Sequence, residues 1–254
     1  RSALYLPASN PRALEKARSL DCDVVILDLE DAVAPEAKEM ARAAAVAAVR
    51  EGGFGDRELV VRANGLDTPW GAADLAELDA ARPDAVLVTK ISTPEEIGAC
   101  RGVLGRHVPL WAMIETCRAI LGLDRLGAAS RDLDVPVWVI GTNDLAKEMR
   151  CRLTPERAPL QPALALAVTA ARAHGLSILD GVFNDIADDR TLHAQCAQGR
   201  EFGFDGKTLI HPSQIAAANA AFTPTPEALA QARAIVAAFD EPDAADKGVL
   251  KVDG

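Results

Sequence analysis

Three carboxylates follow one apolar run near the start of the chain, in the segment Asp28-Leu-Glu-Asp31 after Val24-Val-Ile-Leu27. Charged side chains near a core are costly unless they pair, bind a metal or take part in chemistry. Other polar residues also end or closely follow apolar runs, namely Arg62, Lys90, Glu115, Asp144, Asp180 and His211. This pattern indicates an enzyme whose active site lies at one rim of an array of strands.

Two of these residues, Glu115 and Asp144, are candidate metal ligands. They follow consecutive apolar runs, at 108–114 and 135–140. Two hard oxygen ligands without a Cys or His partner suit Mg²⁺, which keeps waters and binds one or two carboxylates. The alternative is that they cap the helices that follow, as Asp144 in particular can do. Metal binding is favoured because both residues occupy rim positions.

Arg62 and Lys90 are the cations delivered to the same rim. The planar guanidinium of Arg62 suits a substrate carboxylate or an enolate oxygen, and the alternative is an ion pair with Asp28 or Glu30. For Lys90, electrostatic pairing is favoured over a Schiff-base role because no neighbour that would lower its pKa is visible. Glu30 and Asp31 are predicted to hold metal-bound waters and Arg62.

Asp180 and His211 carry weaker signals. Asp180 precedes Gly181, and Asp-Gly is also a common turn sequence. His211 starts the segment His211-Pro-Ser213, and a lone histidine there is more often structural than catalytic.

The composition describes an ordinary globular protein, with 49% hydrophobic and 25% charged residues. The net charge of −10 argues against a nucleic-acid surface, and no basic stretch indicates binding to anionic membranes. No apolar run reaches transmembrane length. Five scattered cysteines without a C-x-x-C pair indicate reduced thiols in a cytoplasmic protein rather than a disulfide scaffold or zinc site.

Eight short apolar runs predict parallel strands buried on both faces. They lie at 3–6, 24–29, 59–62, 85–90, 108–114, 135–140, 177–180 and 208–211. Ala-rich stretches between them predict helices, at 11–20, 37–50, 71–81 and 163–174. Eight βα units in 254 residues predict a single (β/α)8 TIM barrel. A doubly wound sheet is the alternative, but no G-x-G-x-x-G follows any run.

The end of the chain is predicted as an addition to this barrel. The barrel is expected over 1–222, and 223–254 is expected to add a helix at 225–239 and a polar tail within the same domain. Because the tail from Asp240 combines acidic residues with Pro242 and Gly248, we expect it not to pack as a helix.

Seven motifs in order along nearly the whole chain resemble the citrate lyase β-subunit family of the HpcH/HpaI aldolase group, whose relatives include malyl-CoA and citramalyl-CoA lyases. They are Arg1-Ser-Ala-Leu-Tyr-Leu-Pro7, Asp28-Leu-Glu-Asp-Ala-Val33, Val61-Arg-Ala-Asn64, Ile114-Glu-Thr116, Gly141-Thr-Asn-Asp-Leu145, Leu179-Asp-Gly181 and Gly203-Phe-Asp-Gly-Lys-Thr-Leu-Ile-His-Pro-Ser-Gln-Ile215. The resemblance implies a TIM barrel, Mg²⁺ and carbon–carbon cleavage of a 3-hydroxy-acyl thioester.

The resemblance also assigns roles by position. Glu115 and Asp144 match the metal ligands, and Arg62 matches the substrate-binding arginine. The loop that receives the keto-acid carboxylate corresponds to Gly141, Thr142 and Asn143. Positions close to the CoA nucleotide in relatives correspond to Arg1, Lys38 and the segment Ile210-His211-Pro212.

The expected function is Mg²⁺-dependent cleavage of a citryl-, malyl- or citramalyl-like CoA thioester to an acyl thioester and a short 2-oxo acid, such as oxaloacetate, glyoxylate or pyruvate. The alternatives are a CoA-independent class II aldolase on a hydroxy-keto acid, a subunit of a multi-enzyme citrate lyase complex, and a non-catalytic metabolite-binding barrel. Ala8 stands where relatives carry glycine, which mildly favours the aldolase. The resemblance further implies a homotrimer or hexamer, in which an aspartate beyond Gly254 acts as acid/base at a neighbouring subunit's site.

Overall fold

The computed structural model describes residues 1–240, so the predicted polar tail falls, apart from Asp240, outside the described residues. The strands are β1 (Ser2–Pro7), β2 (Val24–Asp28), β3 (Glu58–Ala63), β4 (Ala85–Val88), β5 (Leu110–Ile114), β6 (Val137–Ile140), β7 (Ser177–Asp180) and β8 (Gly206–Leu209). The helices are α1 (Pro11–Ala17), α2 (Lys38–Glu51), α3 (Gly71–Ala81), α4 (Pro94–Val103), α5 (Cys117–Leu121), α6 (Leu123–Asp132), α7 (Thr142–Met149), α8 (Gln161–Ala173), α9 (Asp189–Phe202), α10 (Ile215–Phe222) and α11 (Pro226–Asp240). Two short 3₁₀ turns lie at Pro35–Ala37 and Pro212–Gln214.

The eight strands pair in chain order, all parallel, and β1 pairs with β8 to close the barrel. The register places Asp28 at the end of β2 beside Arg62 of β3. Parallel pairing puts the carboxyl ends of the strands at one rim, so residues that end separate strands converge there. The predicted TIM barrel is therefore confirmed.

Apolar side chains fill the barrel interior. They come from alternate positions of the strands and include Ala3, Tyr5, Val24, Ile26, Val60, Leu87, Trp111, Met113, Val139 and Leu179. The opposite strand faces lie under the helices, which explains why the strands read as continuous apolar runs.

All eight predicted strands are present, with ends that differ by at most two residues. The prediction for β8 started at 208, whereas the strand begins at Gly206 and includes the fully buried Lys207. A lysine interrupts the apolar run by which a buried strand is recognised in a sequence, so the start of β8 was not predicted. The ammonium of Lys207 is paired with Asp180 at 2.8 Å, which makes this position possible.

Helix caps fix the turns that follow β1 and β4. Asn10 caps α1 by accepting from the Ala13 N–H at 3.2 Å. Thr93 and Glu96 form a reciprocal capping box at the start of α4. Both helices therefore begin at the carboxyl rim, as their Asn-Pro and Thr-Pro sequences predict.

The chain divides by its internal contacts into two units, Arg1–Ala221 with the barrel and a second unit that starts at Phe222. The second unit contains α11, close to the helix predicted at 225–239. That both belong to one domain stays a prediction. No helix within residues 1–240 is long and apolar enough to cross a membrane.

Candidate active site

A cavity of about 270 Å³ lies at the carboxyl ends of the strands. Its lining combines residues from β1, β2, β3 and β5 with the loops after β6 and β7. The polar lining residues include Asp28, Asp31, Arg62, Glu115, Asn143, Asp144 and Asn184. The fold therefore brings the predicted Arg62, Glu115 and Asp144 together around one space.

Arg62 is held by the protein on two sides. Its Nε and Nη2 donate to the two carboxylate oxygens of Asp28 at 2.7 and 2.6 Å. Its guanidinium Cζ also lies 4.7 Å from the centroid of the Tyr5 ring. The fork faces Asp28, which is the ion pair predicted from the sequence as the alternative. That Arg62 also contacts a substrate carboxylate or enolate oxygen stays a prediction. Nη1, which makes no hydrogen bond to Asp28, approaches Glu30 and Asp31 and lies 4.0 Å from the Met113 sulfur.

Glu30 connects Arg62 with Lys90. Its Oε2 lies 3.0 Å from Arg62 Nη1, and its Oε1 accepts from Lys90 Nζ. Burial raises the pKa of Glu30. Burial lowers the pKa of Lys90, but the hydrogen bond to Glu30 and nearby carboxylates outweigh it and raise that pKa overall. Lys90 thus pairs with the Glu30 carboxylate, and its electrostatic rather than Schiff-base role stays a prediction. Asp31 is 64% exposed and lies 3.6 Å from Arg62 Nη1.

Glu115 directly follows β5 and is only 1% exposed. Its Oε1 accepts from the backbone N–H of Lys90 at 2.8 Å. Lys90 has a left-handed φ of 57°, and it contacts Glu115 through its backbone and Glu30 through its side chain. Burial raises the pKa of Glu115 to about 8, and the charges of Glu30 and Asp144 add to the increase. The backbone N–H and the charge of Lys90 oppose this increase but do not outweigh it.

Gly141 lets the loop after β6 lie against Glu115. A Cβ at this position would lie 2.5 Å from the Cβ of Glu115, which leaves no room for another residue. The Gly141 N–H donates to the Ile114 carbonyl at 3.1 Å. That the loop from Gly141 to Asn143 receives a substrate carboxylate stays a prediction. Thr142 and Asn143 begin α7 and line the cavity. Because the first N–H groups of a helix have no intrahelical partner, these two suit an anion.

Asn143 is linked to Asn184, a residue in the loop after β7. Each side-chain amide donates to the other, at 3.2 and 2.8 Å. Each amide keeps a further N–H and a lone pair for a ligand. Asn184 was not predicted, since an isolated asparagine in a loop gives no sequence signal.

Glu115 and Asp144 are the residues able to hold a metal. Asp144 lies in the first turn of α7 and close enough to Glu115 to affect its pKa. Within the described part of the chain, three or more His, Cys, Asp or Glu side chains do not come together anywhere in an arrangement that could hold a metal ion. Two carboxylates nevertheless suit Mg²⁺, because water and ligand oxygens complete its coordination.

Arg1 lies at the other end of the barrel. It precedes β1 and pairs at 2.8 Å with Asp23, which precedes β2. A strand of six residues spans about 20 Å, so the cavity is a full strand length away. This position corrects the expectation that Arg1 approaches a CoA nucleotide at the active-site rim.

Lys38 and His211 both have structural partners. Lys38 is 6% exposed, and its Nζ donates to the carbonyls of Leu29 and Glu30 at 2.8 and 2.7 Å. The expectation of a nucleotide contact for Lys38 is corrected, because its ammonium holds the loop after β2. His211 is exposed and caps a 3₁₀ turn by accepting from the Ser213 N–H at 3.2 Å. Its contact with substrate stays a prediction.

Asp180 belongs to a buried ion cluster beside the cavity. It accepts from Arg157 Nη1 at 2.6 and 2.8 Å and from Lys207 Nζ at 2.8 Å. Burial alone would raise the pKa of Asp180, but the two cations outweigh burial and lower it. Asp180 therefore joins β7, β8 and the loop before α8 as a structural group.

The fold and site together define a (β/α)8 barrel enzyme with an acidic, arginine-containing centre. The chain belongs to the HpcH/HpaI aldolase/citrate lyase family, which matches residues 1–212. The family resemblance seen in the sequence is thus confirmed.

Curated relatives act on CoA thioesters. Over 254 residues the chain is 46% identical to a (3S)-malyl-CoA thioesterase of Cereibacter sphaeroides, covering 100% of this chain and 88% of that protein. It is 33% identical over 283 residues to an L-malyl-CoA/beta-methylmalyl-CoA lyase of the same species, with the same coverage. The family thus contains both thioesterases and lyases.

Solved relatives share the fold and carry ligands. A citrate lyase beta subunit from Mycobacterium tuberculosis complexed with oxaloacetate and magnesium has a TM-score of 0.74 and 30% identity, over 88% of this chain and 96% of that one. The protein CitE from the same organism, in complex with magnesium, acetoacetate and coenzyme A, has a TM-score of 0.78 and 29% identity, over 100% and 90%.

Proposed function

We propose that the chain is an Mg²⁺-dependent enzyme acting on a 3-hydroxy-acyl-CoA thioester whose hydroxyl-bearing carbon also carries a carboxylate, as in malyl-CoA. The observation that carries this proposal is the convergence of Arg62, Glu115 and Asp144 on one cavity. Malyl-CoA is also named for the thioesterase and the lyase that this chain resembles.

The donor set fits a divalent cation. The buried Glu115 has a pKa raised to about 8 and lies near the further carboxylates Glu30 and Asp144. A cation at Glu115 and Asp144 would add positive charge beside these carboxylates, which Lys90 alone does not balance. Mg²⁺ bound there would polarise the hydroxyl and carboxylate oxygens of the substrate.

The remaining groups orient the substrate and move its proton. The N–H groups of Thr142 and Asn143 at the start of α7 would bind the substrate carboxylate. Arg62 Nη1 would stabilise negative charge that develops on oxygen. Glu30, whose pKa is raised by burial, is proposed to take the hydroxyl proton. Asp31, exposed at the rim, is proposed to hold waters.

Two reactions of this substrate differ in the bond that breaks. In hydrolysis, water adds to the thioester carbonyl, the C–S bond breaks and the thiolate leaves, so the products are the hydroxy acid and CoA. In cleavage, the base takes the hydroxyl proton, the bond between carbons 2 and 3 breaks, and the thioester enolate is protonated. Cleavage yields a 2-oxo acid and an acyl thioester.

Hydrolysis is the first candidate, because the chain is 46% identical to the thioesterase and 33% identical to the lyase. Carbon–carbon cleavage is the second candidate. It is favoured by the contact of Glu30, the proposed base, with Arg62, the cation that would meet an enolate. Both reactions use the same binding groups for the hydroxy-acid end of the substrate.

The test is to incubate the protein with malyl-CoA and Mg²⁺ and to measure both products. Hydrolysis releases free thiol and malate without glyoxylate, whereas cleavage releases glyoxylate without free thiol. Glu115→Gln should abolish either activity, while Glu95→Gln, on the surface of α4, should not. A folded wild-type protein that forms neither product would contradict the proposed function.

A further inference from the structure

Tyr5 is the single tyrosine of the chain and lines the active-site cavity from β1. Its ring supports the Arg62 guanidinium at 4.7 Å. The side chain is 9% exposed, and its hydroxyl has no hydrogen-bond partner among residues 1–240. Because buried hydroxyls in native proteins nearly always bond to protein, water or ligand, this one is expected to have a partner that is not part of the described chain.

A second buried atom beside Arg62, Glu30 Oε2, is an acceptor without a hydrogen-bond donor in the described chain. Glu30 Oε2 is 3.0 Å from Arg62 Nη1, but the pair lacks hydrogen-bond geometry, and this oxygen has no hydrogen-bond partner in the described chain. Tyr5 lies on the face of the guanidinium and Glu30 at its edge. The charged groups that act on the Tyr5 hydroxyl are Arg62, Asp28, Glu115 and Glu30. Burial raises the pKa of Tyr5, so the phenol keeps its proton and acts as a donor.

The chemistry of the missing partner follows from these two atoms. A single oxygen that bridges these two atoms would accept from Tyr5 and donate to Glu30. A carboxylate or keto oxygen can only accept, whereas a hydroxyl or a water does both. The acyl part of the substrate class proposed above has one hydroxyl, and it is the proton of this hydroxyl that the base removes in carbon–carbon cleavage.

We propose that Tyr5 is a specificity-determining residue that contacts substrate, donating a hydrogen bond to the substrate hydroxyl while that hydroxyl donates to Glu30. This inference rests on the proposed function and deepens it. Together, Tyr5 and Glu30 would favour 3-hydroxy-acyl thioesters over acyl thioesters of the same carbon skeleton that lack the hydroxyl. It would also point the hydroxyl proton at Glu30 for removal.

Tyr5→Phe tests the inference with little disturbance, because the ring that supports Arg62 is kept. The melting temperature should stay the same or rise, since the variant removes a buried hydroxyl without a protein partner. With malyl-CoA, kcat/KM should fall by about two- to tenfold, the effect of one neutral hydrogen bond. Inhibition by succinyl-CoA, which lacks the hydroxyl, should be unchanged.

The control is Thr169→Val, which removes an exposed hydroxyl bonded to the Ala165 carbonyl on α8 and should leave turnover unchanged. If Tyr5→Phe weakens inhibition by succinyl-CoA as much as it lowers kcat/KM for malyl-CoA, or leaves both unchanged, the hydroxyl contact does not exist.

A binding experiment separates this inference from the proposed reaction. Fluorotyrosine incorporated at the single tyrosine gives one ¹⁹F resonance for Tyr5. With Mg²⁺ present, malate should shift this resonance, and succinate should shift it much less. If the wild type turns over no thioester, the proposed function fails, but a selective response to malate still supports the contact. Equal shifts with both acids, or no shift with either, would overturn it.

Discussion

The pKa of Glu115 predicts how Mg²⁺ affinity depends on pH. The carboxyl group must lose its proton to bind a cation, and its pKa is raised to about 8 by burial. The charged fraction is then about one in a hundred at pH 6, about one in ten at pH 7 and about nine in ten at pH 9. Affinity should therefore rise by about tenfold from pH 6 to pH 7 and level off above pH 8. At pH 7, each bound cation should release about 0.9 proton.

Isothermal titration with Mg²⁺ in two buffers of different ionisation enthalpy measures both the affinity and the released proton. Glu115→Gln should bind weakly and without pH dependence. Glu58→Gln is the matched control, because Glu58 also has a pKa raised by burial but starts β3 at the opposite rim. Affinity that stays constant from pH 6 to pH 8 in the wild type, with no proton released, would refute this reasoning.

Three further predictions follow from individual contacts. Arg62→Lys keeps the charge but loses the guanidinium Nη1 that is proposed to stabilise charge on oxygen, so kcat should fall by roughly 10²–10³, as when one oxyanion donor is removed; near-normal turnover would make Arg62 a structural residue only. Gly141→Ala places a Cβ against Glu115, so calorimetry should show that Mg²⁺ binding is lost while circular dichroism shows that the barrel persists. Lys207→Met removes one of two cations from the fully buried Asp180, and urea unfolding should show a loss of about 3–5 kcal/mol; a smaller change would mean that Arg157 alone satisfies that carboxylate.

The barrel was readable from sequence because strands buried on both faces become continuous apolar runs. The ends of the strands were less certain, since hydrophobicity does not mark where pairing stops. β4, for example, ends at Val88, before the left-handed Lys90. Lys207 was invisible as a strand residue because its partner, Asp180, is 27 positions away along the chain.

Arg62, Glu115 and Asp144 were predicted together because residues that end parallel strands share a rim. The same rule, applied to Arg1, places it at the opposite rim, since it precedes its strand. The burial of Lys38 depends on two loop carbonyls, which no local pattern encodes. Tyr5 reads as an ordinary core aromatic, because the isolation of its hydroxyl is a property of the packed barrel.

The charges around the cavity imply an order in which ligands bind. With all of their carboxylates ionised, the cavity and its contacting side chains carry an excess of three negative charges, from Asp28, Glu30, Asp31, Glu115 and Asp144 against Arg62 and Lys90. This field repels an arriving carboxylate, whereas a divalent cation lowers the excess to one. The cation should therefore enter first and the acid second. By thermodynamic reciprocity, the bound acid should then raise the affinity for the cation by the same factor as the cation raises the affinity for the acid.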